Sequence, residues 1–400
     1  MPERTVTFAE LAGDGMMEIG AGRPRTVHAL YPSIPVLRVA DVLDGRIESR
    51  SQYHVQDGYL QAMGSKISRP GDVVLTVKGT VGRVSLMPSG GPDYAYSPQL
   101  CYFRPAIDGL LRARYLYYWF KSAEFWNQAN AFKGQTDMAD YISLSDIAAL
   151  KMRLPALEQQ DGVASLLGAL DDKIAVNGRI VSIADQLGAA CFEAMLADDG
   201  GVSDVSLAEV AKVNVRKVMP ASGGNLRYID ISSVGQGIIE WPKATSWETA
   251  PGRARRGVVP GDTVWSTVRP NRRSHALILD DDPELVVSTG FAVLTPIEVG
   301  PAYLYEVSRR NEFVQYLEGV AEGSAYPAVR AERFNKAPIP LLSLDRVANF
   351  EEGIMPVRRR AHAAQVESRG LAELRDHLLP KLMSGEIRVK DAEKVVEDVT

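Results

Sequence analysis

The chain's 400 residues suffice for two or three domains with cores of their own, and its hydrophobic and charged fractions are those of an ordinary globular protein. A formal net charge of −5 excludes a histone-like protein coated in positive charge but leaves room for a local basic surface. Two distant cysteines, five scattered histidines, a Met-Pro-Glu-Arg-Thr start and no apolar run of about 18 residues argue against a disulfide framework, metal-ligand spacing, a signal peptide and a membrane helix, so a reducing cytoplasm is expected.

In chain order, residues 34–47 (IPVLRVADVLDGRI) predict a short strand and a turn at Gly45. Residues 69–87 give Pro-Gly-Asp, a β-branched strand, a polar and basic loop and a second strand, which is the grammar of a hairpin. A strand ended by proline follows at 97–105. Residues 114–131 carry Tyr115, Leu116, Trp119, Phe120, Phe125 and Trp126 at helical spacing and run into a glycine-containing polar loop, 132–139. Residues 151–155 predict a closing strand. The whole series recurs roughly 190 residues later. Residues 226–239, with Gly237, match 34–47; 259–279 repeat Pro-Gly-Asp and the hairpin; 288–296 repeat the strand. Residues 302–320 repeat the helix with Tyr303, Leu304, Val307, Phe313, Leu317 and Val320, and the loop 321–328 and strand 338–342 complete the copy.

Each half ends in a long helical pattern. Val163, Leu167, Leu170, Ile174, Asn177, Val181 and Ala184 keep the alternating four-three rhythm of a coiled-coil seam. Phe350, Ile354, Val357, Ala361, Ala364, Ser368 and Leu371 keep the same rhythm, and Gly385 is the expected stop. Gly162, Gly168, Gly178 and Gly188 weaken the first helix, and Pro356 is expected to disturb the second or mark its true start. Asn177 at a core position can fix register between helices. The fold class expected is α+β. It comprises two tandem β-rich domains, each followed by a long helix, the helices pairing as an antiparallel coiled coil with approximate twofold symmetry. The boundaries are 1–154, 155–198, 199–343, 344–387 and a C-terminal tail at 388–400. Two similar modules held at a fixed separation suit a target in two parts.

The residues suited to DNA lie in the loops, where Lys and Arg can reach phosphates or base edges. Residues 253–273 are the most basic stretch, with Arg253, Arg255, Arg256, Arg269, Arg272 and Arg273 against the single acid Asp262. The candidates there are Arg269, Asn271, Arg272 and Arg273, matched in the first half by Lys78, Thr80 and Arg83. The glycine loops add Lys133, Gln135 and Thr136, with Ser324 and Tyr326 in the second copy. Asp72 and Asp262 read as turn residues, and Trp119 and Trp265 as core. No phosphate loop, nucleophile elbow, zinc-protease motif or adenine-methyltransferase motif is present, and no acidic-x-Lys triplet follows either Pro-Gly-Asp. The competing reading is a non-catalytic coiled-coil scaffold that binds proteins only.

The stretches 154–177 (LPALEQQDGVASLLGALDDKIAVN) and 378–389 (LLPKLMSGEIRV) resemble the specificity subunits of type I restriction–modification enzymes. In that family a Pro-x-x-Glu-Gln stretch and a Leu-Asp-x-Lys-Ile helix close the first target-recognition domain. A Leu-Leu-Pro-x-Leu-Met-x-Gly-x-Ile pattern closes the second. Residues 19–24 (IGAGRP) resemble the opening glycine segment of the first domain. The second half lacks a clear copy of it, and residues 345–350 stand in place of Pro-x-x-Glu-Gln. The resemblance implies a non-catalytic subunit that reads a split, asymmetric site in double-stranded DNA. It implies docking of two adenine methyltransferase subunits and of restriction/translocase subunits, with no membrane association. Leu167, Ile174, Asn177, Arg358, Leu378 and Leu382 are the expected docking residues. No cofactor is expected on this chain. S-adenosylmethionine belongs to the methyltransferase, and ATP and Mg to the restriction subunit.

Overall fold

The computed structural model describes residues 4–23, 26–28, 34–49, 51–56, 58–133, 141–198, 201–220, 223–323 and 326–397. The chain divides into two units, one of residues 1–174 with 369–400 and one of residues 175–368.

The first unit is built on a four-stranded antiparallel sheet in the order Met17–Ala21, Leu100–Pro105, Val73–Thr76, Val84–Leu86. Val73–Thr76 is buried along its whole length, as a β-branched central strand should be. Val36–Leu37 pairs in parallel with Ala95–Tyr96, and Arg4–Thr7 pairs with the closing strand Lys151–Leu154. Phe8, Phe103, Trp119, Phe120 and Phe125 form an aromatic core in edge and tilted contacts.

The second unit repeats these pairings. Its main sheet runs Ala211–Val213, Phe291–Pro296, Thr263–Ser266, His275–Leu277. Asn225–Ile229 pairs in parallel with Leu285–Ser288, and Ser203–Ser206 pairs with Pro338–Leu341. Trp265, Tyr303 and Phe313 lie in its core. Trp119 and Trp265 are thus both fully buried, as expected.

Three sequence expectations change. Each aromatic helix is broken at the same place, into Ala113–Lys121 and Ala123–Lys133 and into Pro301–Arg309 and Asn311–Gly319. Ser122 and Arg310, extended in backbone, make the breaks, although the apolar spacing continues across them. The second half still has no copy of the glycine segment 19–24, since the strand in that place, Ala211–Val213, carries no glycine, but the two units do open on a matching element ahead of it. Thr7-Phe8-Ala9-Glu10 and Ser206-Leu207-Ala208-Glu209 are matching capping boxes that start short helices between paired strands. Pro356 does not start the second long helix, which runs unbroken over Leu344–Ser384. Proline forfeits one backbone hydrogen bond, but Phe350 and Ile354 before it and Arg358 and Ala361 after it are all buried, so packing holds both sides. The tail is a helix, Val389–Glu397, whose Ala392 is buried in the first unit's core.

The first long helix, Leu157–Ala197, and the second have 41 residues each. In the first unit the seam residues Val163 and Leu167 share a core with Leu378, Leu379 and Leu382. In the second, Phe192 packs edge-on against Phe350, ring centroids 5.5 Å apart, and Arg346 donates to the Met195 carbonyl at 2.8 Å. Gly385 ends the second helix with φ +76°. By length and composition alone the first long helix could cross a membrane, a property shared with core helices of soluble proteins.

Each unit ties its aromatic helix to the long helices by a polar group in the same slot. In the first, the Tyr118 hydroxyl donates to Asp171 at 2.6 Å, and Asp171 accepts from Arg375 at 2.7 Å. In the second, Glu306 accepts from Arg358, which also donates to Asp185 at 2.8 Å. Tyr118 and Glu306 hold the same place in their nine-residue helices, and Asp171 and Arg358 the same place in the long ones. The long helices also cap the aromatic helices. Gln160 accepts from the Arg112 backbone N–H at 2.9 Å, and Glu351 accepts from the N–H groups of Ala302 and Tyr303 at 3.0 and 3.1 Å.

Candidate nucleic-acid interface

In the first unit the hairpin leaves its buried strand at Thr76 and turns through residues 77–83. Gly79 and Gly82 take positive φ, and at Gly82 a Cβ would fall 2.1 Å from the Trp126 ring, so only glycine fits. The Arg83 N–H donates to Thr76 Oγ1 at 2.9 Å, closing the loop. This loop is stitched to the chain that follows the aromatic helices. The Ile142 N–H donates to the Val77 carbonyl at 3.0 Å, Lys78 and Tyr141 form a β-bridge, and Lys78 Nζ lies 5.9 Å from the Tyr141 ring centroid. Lys78 and Thr80 are exposed and Arg83 half-buried.

The second unit makes the same junction with different residues. The Val329 N–H donates to the Thr267 carbonyl at 2.8 Å, and Val268 bridges Ala328. The Arg269 N–H donates to the Pro327 carbonyl at 2.7 Å. Arg269 and Arg273 are left-handed, φ +52° and +54°, on either side of the short helical turn Pro270–Arg272. Such backbone is uncommon for arginine and persists only when its surroundings hold it. The Arg269 guanidinium lies 4.5 Å above the ring of Tyr326, which is 69% exposed. Asn271 and Arg272 are exposed, whereas Arg273 donates to Asn311 Oδ1 at 2.7 Å.

The hairpin candidates Lys78, Thr80, Arg83, Arg269, Asn271, Arg272 and Arg273 therefore do sit on loops beside the post-helix loops, and Tyr326 joins them. Gln135, Thr136 and Ser324 lie outside the described residues, as does the side chain of Lys133. Tyr141 was missed. Its signal was available, an aromatic at the end of the polar loop as Tyr326 is in the other. Arg255 and Arg256, by contrast, donate to the carbonyls of Ala254 and Thr289. Asp72 and Asp262 do more than turn the chain. Asp72 is fully buried and accepts from the Arg69 N–H, the Tyr96 hydroxyl and the Arg104 guanidinium at 2.6–2.9 Å. Asp262 accepts from the Val259 N–H at 2.9 Å, Thr295 Oγ1 at 2.7 Å and Arg216 at 3.1 Å. These carboxylates anchor the base of each hairpin.

Residues 15–182 match the model of the type I restriction modification DNA specificity domain. The whole chain shares its fold with the type I restriction–modification S subunit from M. genitalium, at 14% identity, over 96% of each chain, with a TM-score of 0.58. Weaker likenesses are to the HsdS subunit from Thermoanaerobacter tengcongensis (17% identity, 96% and 97% covered, TM-score 0.35) and to a chain from a structure of type I complex assembly (18%, 97% and 99%, 0.40). No curated protein matches in sequence. The specificity domain matched at 15–182 contains the first hairpin and reaches into the first long helix.

The expected docking residues need correction against this fold. Leu167, Leu378 and Leu382 are buried together in the first unit's core. Arg358 is 8% exposed and ion-paired, so of the three consecutive arginines Arg358, Arg359 and Arg360 only the last two face solvent. Asn177 is buried and donates to Glu367 Oε2 at 2.9 Å, which suits a register role within the seam. Ile174 is half-buried. The physical reason differs by residue: the leucines fill the first unit's core, and Arg358 and Asn177 are taken up by polar partners inside the second. The exposed apolar residues of the same helix are Val176, Ile183 and Leu187, one helical face away.

Proposed function

We propose that this chain is the DNA-reading subunit of a type I restriction–modification complex, and that each unit reads one half of a split, asymmetric site in double-stranded DNA. The observation that carries the reading is the joined, cation-bearing loop pair that recurs in both units with unlike residues. Equal folds with unequal loops suit two different half-sites. The two long helices, pairing antiparallel with approximate twofold symmetry, set the gap. The ion pair between Asp171 and Arg375 and the packing of Phe192 on Phe350 support that pairing.

Two adenine methyltransferase subunits dock on the helices, and Val176, Ile183 and Leu187 offer an exposed apolar stripe for them. S-adenosylmethionine is then held by those partners, and ATP and Mg by restriction/translocase subunits that join them. On this reading the chain itself performs no chemistry. Two free cysteines fit a reducing cytoplasm.

Methylome sequencing of the host with and without the gene tests this. Loss of one split adenine-methylated motif is the expected result. An unchanged methylome, together with no duplex binding in a salt series, would leave the protein-only scaffold in its place.

A further inference from the structure

Arginine presents a planar fork of donors with no acceptor, so its partner on DNA is either a phosphate or an acceptor-rich base edge. Three arginines stand on the second unit's loop, and the structure treats them differently. Arg273 is tied to Asn311. Arg272 is exposed. Arg269 alone is stacked on an aromatic ring, at 4.5 Å from the Tyr326 centroid, and among the described residues its guanidinium makes no hydrogen bond or ion pair.

Its backbone is also the most constrained. Arg269 holds φ +52°, its N–H is bonded to Pro327, the neighbour of its stacking partner, and Pro270 follows it. A phosphate contact tolerates a loose side chain, because the anion can be met from many directions. A two-bond contact to a base edge needs the guanidinium plane fixed and its outer edge free. Stacking provides both, since the ring covers one face and leaves the edge open. Tyr326 itself has no core to fill, being mostly exposed. The first unit supplies an independent repeat of the design. There the hairpin cation Lys78 lies over Tyr141, which is 47% exposed and bridged to it.

We propose that Tyr326 is a stacking platform that presents Arg269 to the O6 and N7 atoms of one guanine in the major groove, making this pair the specificity element of the second unit. The inference rests on the DNA-reading role above and names the base class that one residue takes.

The test is selection from a randomised duplex library by the full chain, purified with the subunits of its complex. Wild type selects a split motif with a fixed guanine in one half. Arg269→Ala lowers the preference for that guanine about 10- to 100-fold and leaves every other position unchanged, the untouched half reporting a folded protein. Tyr326→Leu weakens discrimination at the same position, and Tyr326→Phe, which keeps the ring, retains it. Equal weakening at all positions, with the salt slope reduced by about one, marks a phosphate contact and overturns the proposal. So does an unchanged motif. If wild type selects no motif at all, the DNA-reading role falls and takes this inference with it.

Discussion

His275 sits at the start of the strand leaving the second loop, 4% exposed, with its ring stacked 5.5 Å from Trp265. Burial, opposed by the Arg273 carbonyl on Nδ1 and aided by the nearby Arg309, lowers its pKa to about 4. The folded protein therefore holds it neutral while the unfolded chain binds a proton below about pH 6.5. Stability tied to this group is full above pH 6.5 and is lost as pH falls toward 4, by up to about 3 kcal/mol. Urea midpoints followed from pH 7 to 4 should fall more steeply in wild type than in His275→Gln; parallel curves would remove the histidine as the cause. At this scale the sequence was partly readable. Asp72 and Asp262 announced turns through Pro-Gly-Asp. Their burial was not legible, because Arg104 and Thr295 reach them from strands about 30 residues away that only the sheet brings near.

Four glycines in the first long helix looked alike in the sequence, each a helix defect of up to about 1 kcal/mol. The fold separates them. At Gly178 a Cβ would meet nothing, whereas at Gly188 it would lie 2.6 Å from Arg358 and 2.7 Å from Glu306. Gly178→Ala should raise the thermal midpoint through helix propensity, by about 1 kcal/mol. Gly188→Ala should lower it, because the buried Arg358–Glu306 pair has to move, and breaking such a pair costs about 3–5 kcal/mol. Calorimetry on the two variants decides this; equal shifts would mean the pair has slack. Elements with strong periodicity were legible, namely both long helices, both hairpins and both closing strands. The helix breaks at Ser122 and Arg310 were not, since aromatic spacing continues through them. The second capping box was written in the sequence as Ser206-x-x-Glu209 but hidden by its four-residue helix.

At the scale of the molecule, the order of elements in the two halves carried the duplication, and the strand pairings bear it out. The loops that meet at each candidate interface were legible only as separate basic and glycine-rich stretches. Their junction depends on hydrogen bonds between segments about 60 residues apart, such as Ile142 to Val77. The proposed division of labour makes a modular prediction. Exchanging residues 1–154 for those of a related specificity subunit should change one half of the methylated motif and preserve the other. Adding residues around Gly178 should alter the gap and preserve both halves. Methylome sequencing reads each result, and a motif altered throughout by the exchange would refute the modular reading.

The slot that joins each aromatic helix to the long helices has a genetic consequence. A gene with two related halves is open to crossover between them. Placing the first aromatic helix against the second half would set Tyr118 beside Arg358 without a carboxylate of its own. The reverse exchange would face Glu306 toward Asp171, two acids in one confined place. Arg358 keeps Asp185 and Asp171 keeps Arg375 in such recombinants, but the contact across the slot is lost in either kind, so both are expected to be less stable than the parent. The inverted slot is thereby expected to penalise exchange between the two halves of the gene.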